Sequence, residues 1–248
     1  MGALASGRVQ QSRIDESVRR ILRAKMQAGL RTGRLVDLNA VDTIVNIPAN
    51  SAIARAVAER SITLARDSRT VVPLNRTARR ILSITFADGG DLVAGRVFNQ
   101  ELRRGGFVVT TAAADARTTD DQYKVLGLQA DSADVVIASA YVSPRDGNGS
   151  ISTEGGMPSL IEALTARGKP VIAVSFGSPY LLAAFPSVPA YMLAWGGAPV
   201  SQRAAAAALL GEIAITGKLP ISLPPHFAAG AGIERAVTQR VASPEPGR

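Results

Sequence analysis

Two carboxylates flank the longest polar loop of this chain, which reads Val142-Ser-Pro-Arg145-Asp146-Gly-Asn148-Gly-Ser-Ile-Ser-Thr-Glu154. Paired carboxyl groups can cleave a glycosidic bond, one attacking or activating water and the other protonating the leaving oxygen. Asp146 and Glu154 are therefore the weak candidates for catalysis within this chain. Arg145 beside Asp146 favours the ionised carboxylate, which suits a proton donor badly. Glu154 precedes Gly155-Gly156 and a helical pattern, where a negative charge simply complements the helix dipole. Long polar loops on a rigid scaffold are nonetheless where function concentrates.

A second chemistry is suggested by Ala173-Val-Ser175-Phe-Gly177, a serine between a strand and a helix, the setting of a nucleophile elbow. Ala173 stands where that motif has its first glycine. A triad would draw on His226, the sole histidine, and on Glu212, because no aspartate follows Asp146. Glu212 falls at the end of a helical pattern. Ser175 to Pro179 is read instead as a tight strand-to-helix connection.

Other chemistries are excluded by what the chain contains. Ala87-Asp88-Gly89-Gly90-Asp91 has glycines but matches neither nucleotide-binding loop, and its aspartates would repel an anion. Asp91 is expected to cap the next helix. One histidine and no cysteine leave no multi-His or Cys-based metal site, no thiol chemistry and no disulfide. Neither a cofactor nor a metal is expected. The net charge of +8 is concentrated in residues 1–34, which carry +6 and leave +2 for the remainder. Basic residues do not alternate with stacking aromatics, so nucleic acid is not an expected partner. No apolar run reaches the roughly 18 residues of a membrane span. Met1–Leu4 is too short an apolar region for an export signal, although a periplasmic or secreted parent protein remains compatible with the sequence.

These residues must be placed by elements that the periodicity predicts. A helix is expected from Ser12, in a capping-box-like Ser-x-x-Asp with Asp15, to a stop at Gly29. Ile14, Val18, Ile21 and Leu22 form its apolar side and call for a partner. Residues 31–49 lack periodicity and read as an extended linker marked by Gly33 and Pro48. A second helix is expected from Asn50 to about Arg60, with Ile53, Ala54 and Val57 on one side, before a β-leaning Ser61–Ala65. Apolar strands at Ile81–Phe86, Phe107–Thr111, Val135–Ala140, Val171–Val174 and Tyr191–Ala194 then alternate with helical segments near 91–104, 119–130, 157–167, 179–185 and 199–212. Alternation of buried strands with helices predicts an α/β fold, a mostly parallel sheet sandwiched by helices. In a flavodoxin-like order the reversal falls between the first and third of these strands, at the loops after Phe86 and Ala140.

Lys169-Pro-Val-Ile-Ala-Val-Ser-Phe-Gly-Ser-Pro-Tyr180, Tyr191-Met-Leu-Ala-Trp195-Gly-Gly197 and Thr216-Gly-Lys-Leu-Pro-Ile-Ser-Leu223 follow one another in an order that resembles the C-terminal α/β domain of glycoside hydrolase family 3. Arg13-Ile-Asp-Glu-Ser-Val-Arg-Arg-Ile-Leu-Arg-Ala-Lys25 is similar to the last helix of the (β/α)8 barrel in the same family. The resemblance implies residues 1–30 as a last barrel helix, 31–49 as a linker, 50–225 as the α/β sandwich and 226–248 as a C-terminal tail. It implies a retaining exo-β-glycosidase whose nucleophile lies on a barrel domain or chain, the expected partner. A β-linked sugar would be bound through that barrel.

Within the family, the β-glucosidase branch takes its acid/base Glu from the loop corresponding to about residues 142–150. No Glu stands there in this chain. The resemblance thus leans toward the β-N-acetylhexosaminidase type, with this half inactive alone and Arg145, Asp146 or Asn148 presented toward sugar hydroxyls. A β-glucosidase-type half and a non-enzymatic scaffold or small-molecule-binding protein are the alternatives.

Overall fold

The computed structural model describes residues 2–45, 47–87, 91, 93–142, 153 and 155–238, in two compact units, Met1–Ser51 and Ala52–Arg248. The first unit holds α1 (Gly2–Ala5) and α2 (Gln11–Gln27). Helix α2 starts one residue before Ser12, after Gln10, and has no side-chain cap. The expected capping box does not form, because Ser12 already lies inside the first turn and Asp15 accepts from Gln11 Nε2 instead. The predicted stop at Gly29 is present. Leu30 N–H donates to Lys25 and Gly29 N–H to Met26 while Gly29 adopts φ +70°, the doubly bonded C-cap that glycine favours. Val18, Ile21, Leu22 and Met26 are all exposed, and no side chain of α2 is buried.

The segment read as an extended linker contains short helical turns. A 3₁₀ turn at Leu38–Ala40, capped by Asp37 accepting from Asn39 N–H, runs into α3 (Val41–Ile44). Local side-chain capping at Asp37 supplies order that hydrophobic periodicity cannot reveal. Helix α4 (Pro48–Ser61) follows, with proline where its missing N–H costs nothing. Ile53 and Val57, expected on a packed side, are exposed, and Ala58 is the buried residue. Ala52, Ala54 and Ala56 are exposed too, so α4 contributes one small buried side chain rather than an apolar face.

The second unit is built on a six-stranded sheet: β1 (Thr63–Asp67), β2 (Arg80–Ala87), β3 (Val108–Ala114), β4 (Val135–Tyr141), β5 (Val171–Ser175) and β6 (Ala190–Leu193). Their order is β1-β6-β5-β4-β2-β3. All pairs are parallel except β1 with β6. The five strands read from the sequence thus adopt the flavodoxin-like order, with β2 between β3 and β4. The β-leaning segment after α4 adds an antiparallel edge strand.

The helices are α5 (Arg96–Arg104), α6 (Asp120–Asp131), α7 (Met157–Ala166) and α8 (Pro199–Leu209), with a 3₁₀ helix at Pro179–Ala184. One apolar cluster joins Phe98 and Leu102 of α5 and Ala205 and Leu209 of α8 to Ile81, Ile137 and Ile172. The other joins Tyr123 and Leu126 of α6 and Leu160 and Leu164 of α7 to Leu82, Val136 and Val171. Strand residues alternate between the two clusters, as a sheet covered on both faces requires. A reciprocal capping box of Thr119 and Gln122 starts α6. Helix α8 ends earlier than residue 212, because Gly211 takes φ +70° and Glu212 N–H turns back to Ala207. Glu212 therefore lies in a turn after the helix.

At the amino ends of the strands, Asp134 accepts from Arg80 Nη2 at 2.7 Å and from Arg80 N–H at 2.8 Å. These bonds hold its pKa at about 2, below an ordinary 3.8. A depressed carboxyl pKa contributes stability that is present above the unfolded value and lost as pH falls through the folded one. Wild-type stability should consequently fall between about pH 4 and pH 2, and Asp134→Asn should flatten that decline. Urea unfolding at successive pH values reads the difference, and identical pH profiles would contradict it.

Candidate functional site

Strand order reverses around β2, so the crevice expected of a doubly wound sheet opens beyond Ala87 and Tyr141, which are paired in register. Two loops leave this point. Asp88 of the first lies outside the described residues, as do Arg145, Asp146, Asn148 and Glu154 of the second. Asp91 is described, and its Oδ1 accepts from Val93 N–H at 3.2 Å and Ala94 N–H at 3.1 Å. It caps the turn before α5 rather than the helix itself, whose N-cap is Gly95. Gly95 has φ +72°, and a Cβ there would lie 2.5 Å from Thr85 Oγ1. The chain closes so tightly on β2 at this point that only glycine fits.

At the carboxyl ends of β4 and β5 is an aromatic wall. Tyr141 stacks on Phe176 at 4.4 Å between ring centroids and 6° between planes, and Phe176 meets Phe98 edge-on at 5.4 Å. Gly197 lies against Tyr141, with 3.1 Å from its virtual Cβ to Tyr141 Cδ1. Burial pushes the Tyr141 hydroxyl pKa well above its ordinary value, so the phenol stays protonated. Phe176 N–H donates to Ala140 and Ser178 N–H to Val142, tying the end of β4 to the turn after β5. Residues 140–142 are thus held in place up to the end of β4.

Ser175 is fully buried at the end of β5. Its hydroxyl donates to the Ser178 carbonyl at 2.6 Å and accepts from Gly177 N–H at 3.4 Å. His226 is half-buried near Phe227, and no hydrogen bond joins it to Ser175 among the described residues. A nucleophile must be reachable and paired to a base. Ser175 closes the tight connection instead, and Ser178 Oγ caps the 3₁₀ helix by accepting from Tyr180 N–H. Among the described residues no cluster of three or more His, Cys, Asp or Glu side chains could hold a metal ion.

The carboxyl edge continues to Trp195, a non-glycine residue at φ +61°. Its Nε1 donates to Thr63 Oγ1 at 3.2 Å. Gly217 N–H donates to Ile62, and a Cβ at Gly217 would stand 2.4 Å from the Ile62 carbonyl oxygen. The glycine of the Thr-Gly-Lys-Leu-Pro segment therefore lets that segment lie flat against the start of β1. The three-ring stack was not foreseen from sequence. Its one local signal is that an aromatic residue ends β4 and another follows β5.

Comparison with known proteins follows the same lines. The model of the glycosyl hydrolase family 3 C-terminal domain matches residues 22–241. A β-N-acetylglucosaminidase/β-glucosidase of Cellulomonas fimi is 28% identical, over 88% of this chain and 40% of that protein. A lysosomal β-glucosidase of Dictyostelium discoideum is 30% identical, over 89% of this chain and 31% of that protein. Among solved structures, a family 3 β-N-acetylglucosaminidase from Paenibacillus sp. superposes with a TM-score of 0.67 at 24% identity. That match covers 96% of this chain and 42% of the other. A β-glucosidase from Listeria innocua superposes at 0.65 and 20% identity, over 90% of this chain and 34% of that one. The chain spans 31–40% of the length of the curated relatives it matches. Among the described residues no helix is long and apolar enough to cross a membrane.

Proposed function

Because this chain belongs to the glycosyl hydrolase family 3 C-terminal domain family, we propose that it is the supporting half of a retaining exo-β-glycosidase of the β-N-acetylhexosaminidase type. One observation carries the reading: the family match fills most of this chain, while the chain fills well under half of its relatives. The remainder would be a (β/α)8 barrel that holds the β-linked sugar and the nucleophile. Residues 1–30 would be its last helix, 31–49 the linker, 50–225 the sandwich and 226–248 the tail. The exposed Val18, Ile21 and Leu22 of α2 offer the barrel an apolar surface.

The 142–155 loop would stand over the switch point and present Arg145, Asp146 and Asn148 toward sugar hydroxyls. The hexosaminidase type is favoured because residues 142–150 contain no Glu to serve as acid/base. Two of the matched relatives are named as β-glucosidases, which supports the glucosidase type as a second reading. In that case Asp146 or Glu154 would supply the proton.

The purified chain should hydrolyse neither p-nitrophenyl β-N-acetylglucosaminide nor p-nitrophenyl β-glucoside above a blank. Mixed with a separately produced family 3 barrel, it should restore cleavage, with the N-acetyl substrate preferred. In the mixture, Asp146→Asn and Glu154→Gln should each leave kcat within about threefold, whereas loss of a general acid costs about 10²–10⁴-fold. Turnover by the chain alone would overturn the supporting role, and a collapse in either variant would transfer the acid to this half.

A further inference from the structure

A cleft of about 750 Å³ opens at the carboxyl ends of β2 and β3, on the far side of β2 from the β4 loop. Arg96 and Arg103 of α5 line one wall, and Asp115, Arg117 and Thr118 from the β3–α6 connection line the other. The charge balance of the lining is what singles it out.

Three guanidinium groups face one carboxylate. Arg117 engages that carboxylate, with Nη2 at 3.0 Å and Nε at 3.3 Å from Asp115 Oδ2. This pairing holds the Asp115 pKa below its ordinary value, so the charge balance is fixed near neutrality. Arg103 Nη2 donates to the Val109 carbonyl at 3.1 Å, which satisfies one donor and no charge. Arg96 has no hydrogen-bond or ion-pair partner among the described residues. Among the described residues of the lining, the positive charges of Arg96 and Arg103 are thus unmatched. Walls of low dielectric concentrate such a field toward anions.

A second observation is independent of charge. Asn99, at the floor of the cleft, is only 6% exposed. Its Oδ1 accepts from Ser83 Oγ at 2.6 Å, which fixes the amide orientation. The Nδ2 group is left without a partner among the described residues. Asn99 lines the cleft, where its amide N–H groups can meet a ligand oxygen. Guanidinium forks match the planar edge of a carboxylate or phosphate. The exposed Thr111 and Gln122 add hydroxyl and amide groups suited to a hydroxylated body, and the volume suits a small ligand.

We propose that this cleft binds the oxyanion of a small hydroxylated ligand, a sugar carboxylate or phosphate. Arg96 and Arg103 grip the anion, and Asn99 Nδ2 donates to an oxygen at the floor. The site does not depend on the glycosidase reading.

The test is calorimetric titration of the full chain at pH 7 and low ionic strength with sodium glucuronate, inorganic phosphate and glucose. Saturable one-site binding of glucuronate or phosphate is expected, and which of them binds tells carboxylate from phosphate. Glucose should bind at least about tenfold more weakly. Arg96→Gln and Arg103→Gln should each weaken the anion about tenfold or more, and Asn99→Leu should weaken it with the charge unchanged. Arg96 and Arg103 are exposed, so their variants should fold, which circular dichroism checks. Arg19→Gln on α2 should bind like the parent chain. Absence of saturable uptake of either anion overturns the proposal. So does unchanged binding in both arginine variants, equal loss in Arg19→Gln, or glucose binding as tightly as glucuronate.

Discussion

Asp67→Ala should lower the stability of the 52–248 unit by about 3–5 kcal/mol, the range for breaking a buried ion pair by removing one partner. The Asp67 side chain is 0% exposed and that of Arg235 25% exposed. Asp67 accepts from Val71 N–H at 2.8 Å, Val72 N–H at 3.4 Å and Arg235 Nη2 at 2.8 Å. Arg235 Nε in turn donates to the Val72 carbonyl at 3.0 Å. Truncation leaves a half-buried guanidinium and two backbone amides facing no acceptor. Each is costly to leave unpaired in the interior.

The pair also anchors a distant part of the chain. Arg235 exchanges backbone bonds with Ile215, and Ile233 N–H donates to Leu64 on edge strand β1. The expected result is therefore a fall in the urea midpoint together with faster proteolysis near residues 233–238. The double variant Asp67→Leu/Arg235→Met should recover much of the loss, since an apolar pair leaves no orphaned charge. A midpoint within about 0.2 M of wild type in Asp67→Ala, at the usual slope of about 1–3 kcal/mol per M, would show that the pair is solvated and adds little.

That ion pair also shows where sequence reading reaches its limit. Strands β2, β4 and β5 were legible because buried parallel strands are continuous apolar runs, a signal confined to five or six neighbouring residues. The Gly29 stop was legible for the same reason, since a C-cap is settled within one helical turn. Asp67 and Arg235 are joined only by the fold, and no local pattern marks either. Errors at helix ends have a related origin. Ser12 and Asp91 have capping chemistry, but the first lies inside a helix that starts earlier and the second serves the turn ahead of Gly95. Ile53 and Val57 have helical spacing without a packed face, because spacing shows that a stripe exists and not that anything covers it.

The candidate site divides in the same way. Its position at the carboxyl ends of β2 and β4 follows from strand alternation and the order reversal. The arginine-lined cleft does not, because Arg96, Arg103 and Arg117 come from two connections whose approach only the β2–β3 pairing creates. Sequence reading followed loop length and so looked to residues 142–154 instead.

Phe176→Ala should be the most damaging single truncation in the aromatic wall at the ends of β4 and β5, costing about 3–5 kcal/mol as large-to-alanine changes in cores do. Phe176 is fully buried, its ring is covered by Tyr141 on one face, and Phe98 meets it edge-on. Removing the ring takes away transfer energy and two aromatic contacts worth about 0.5–1.5 kcal/mol each beyond area. The cavity could not collapse easily, because the backbone around it is pinned by Phe176 N–H to Ala140 and Ser178 N–H to Val142.

Phe176→Leu should cost about half as much, since most of the volume is kept and only the ring contacts are lost. Both variants are read by urea unfolding, with near-ultraviolet circular dichroism reporting whether Tyr141 keeps its fixed environment. Equal losses in the two variants would mean that ring contact, rather than volume, dominates the wall. In the reconstituted mixture with a barrel, Phe176→Leu should raise KM more than it lowers kcat, because Tyr141 supports the base of a loop proposed to touch substrate without carrying the chemistry. A fall in kcat at unchanged KM would place that loop in the catalytic step itself.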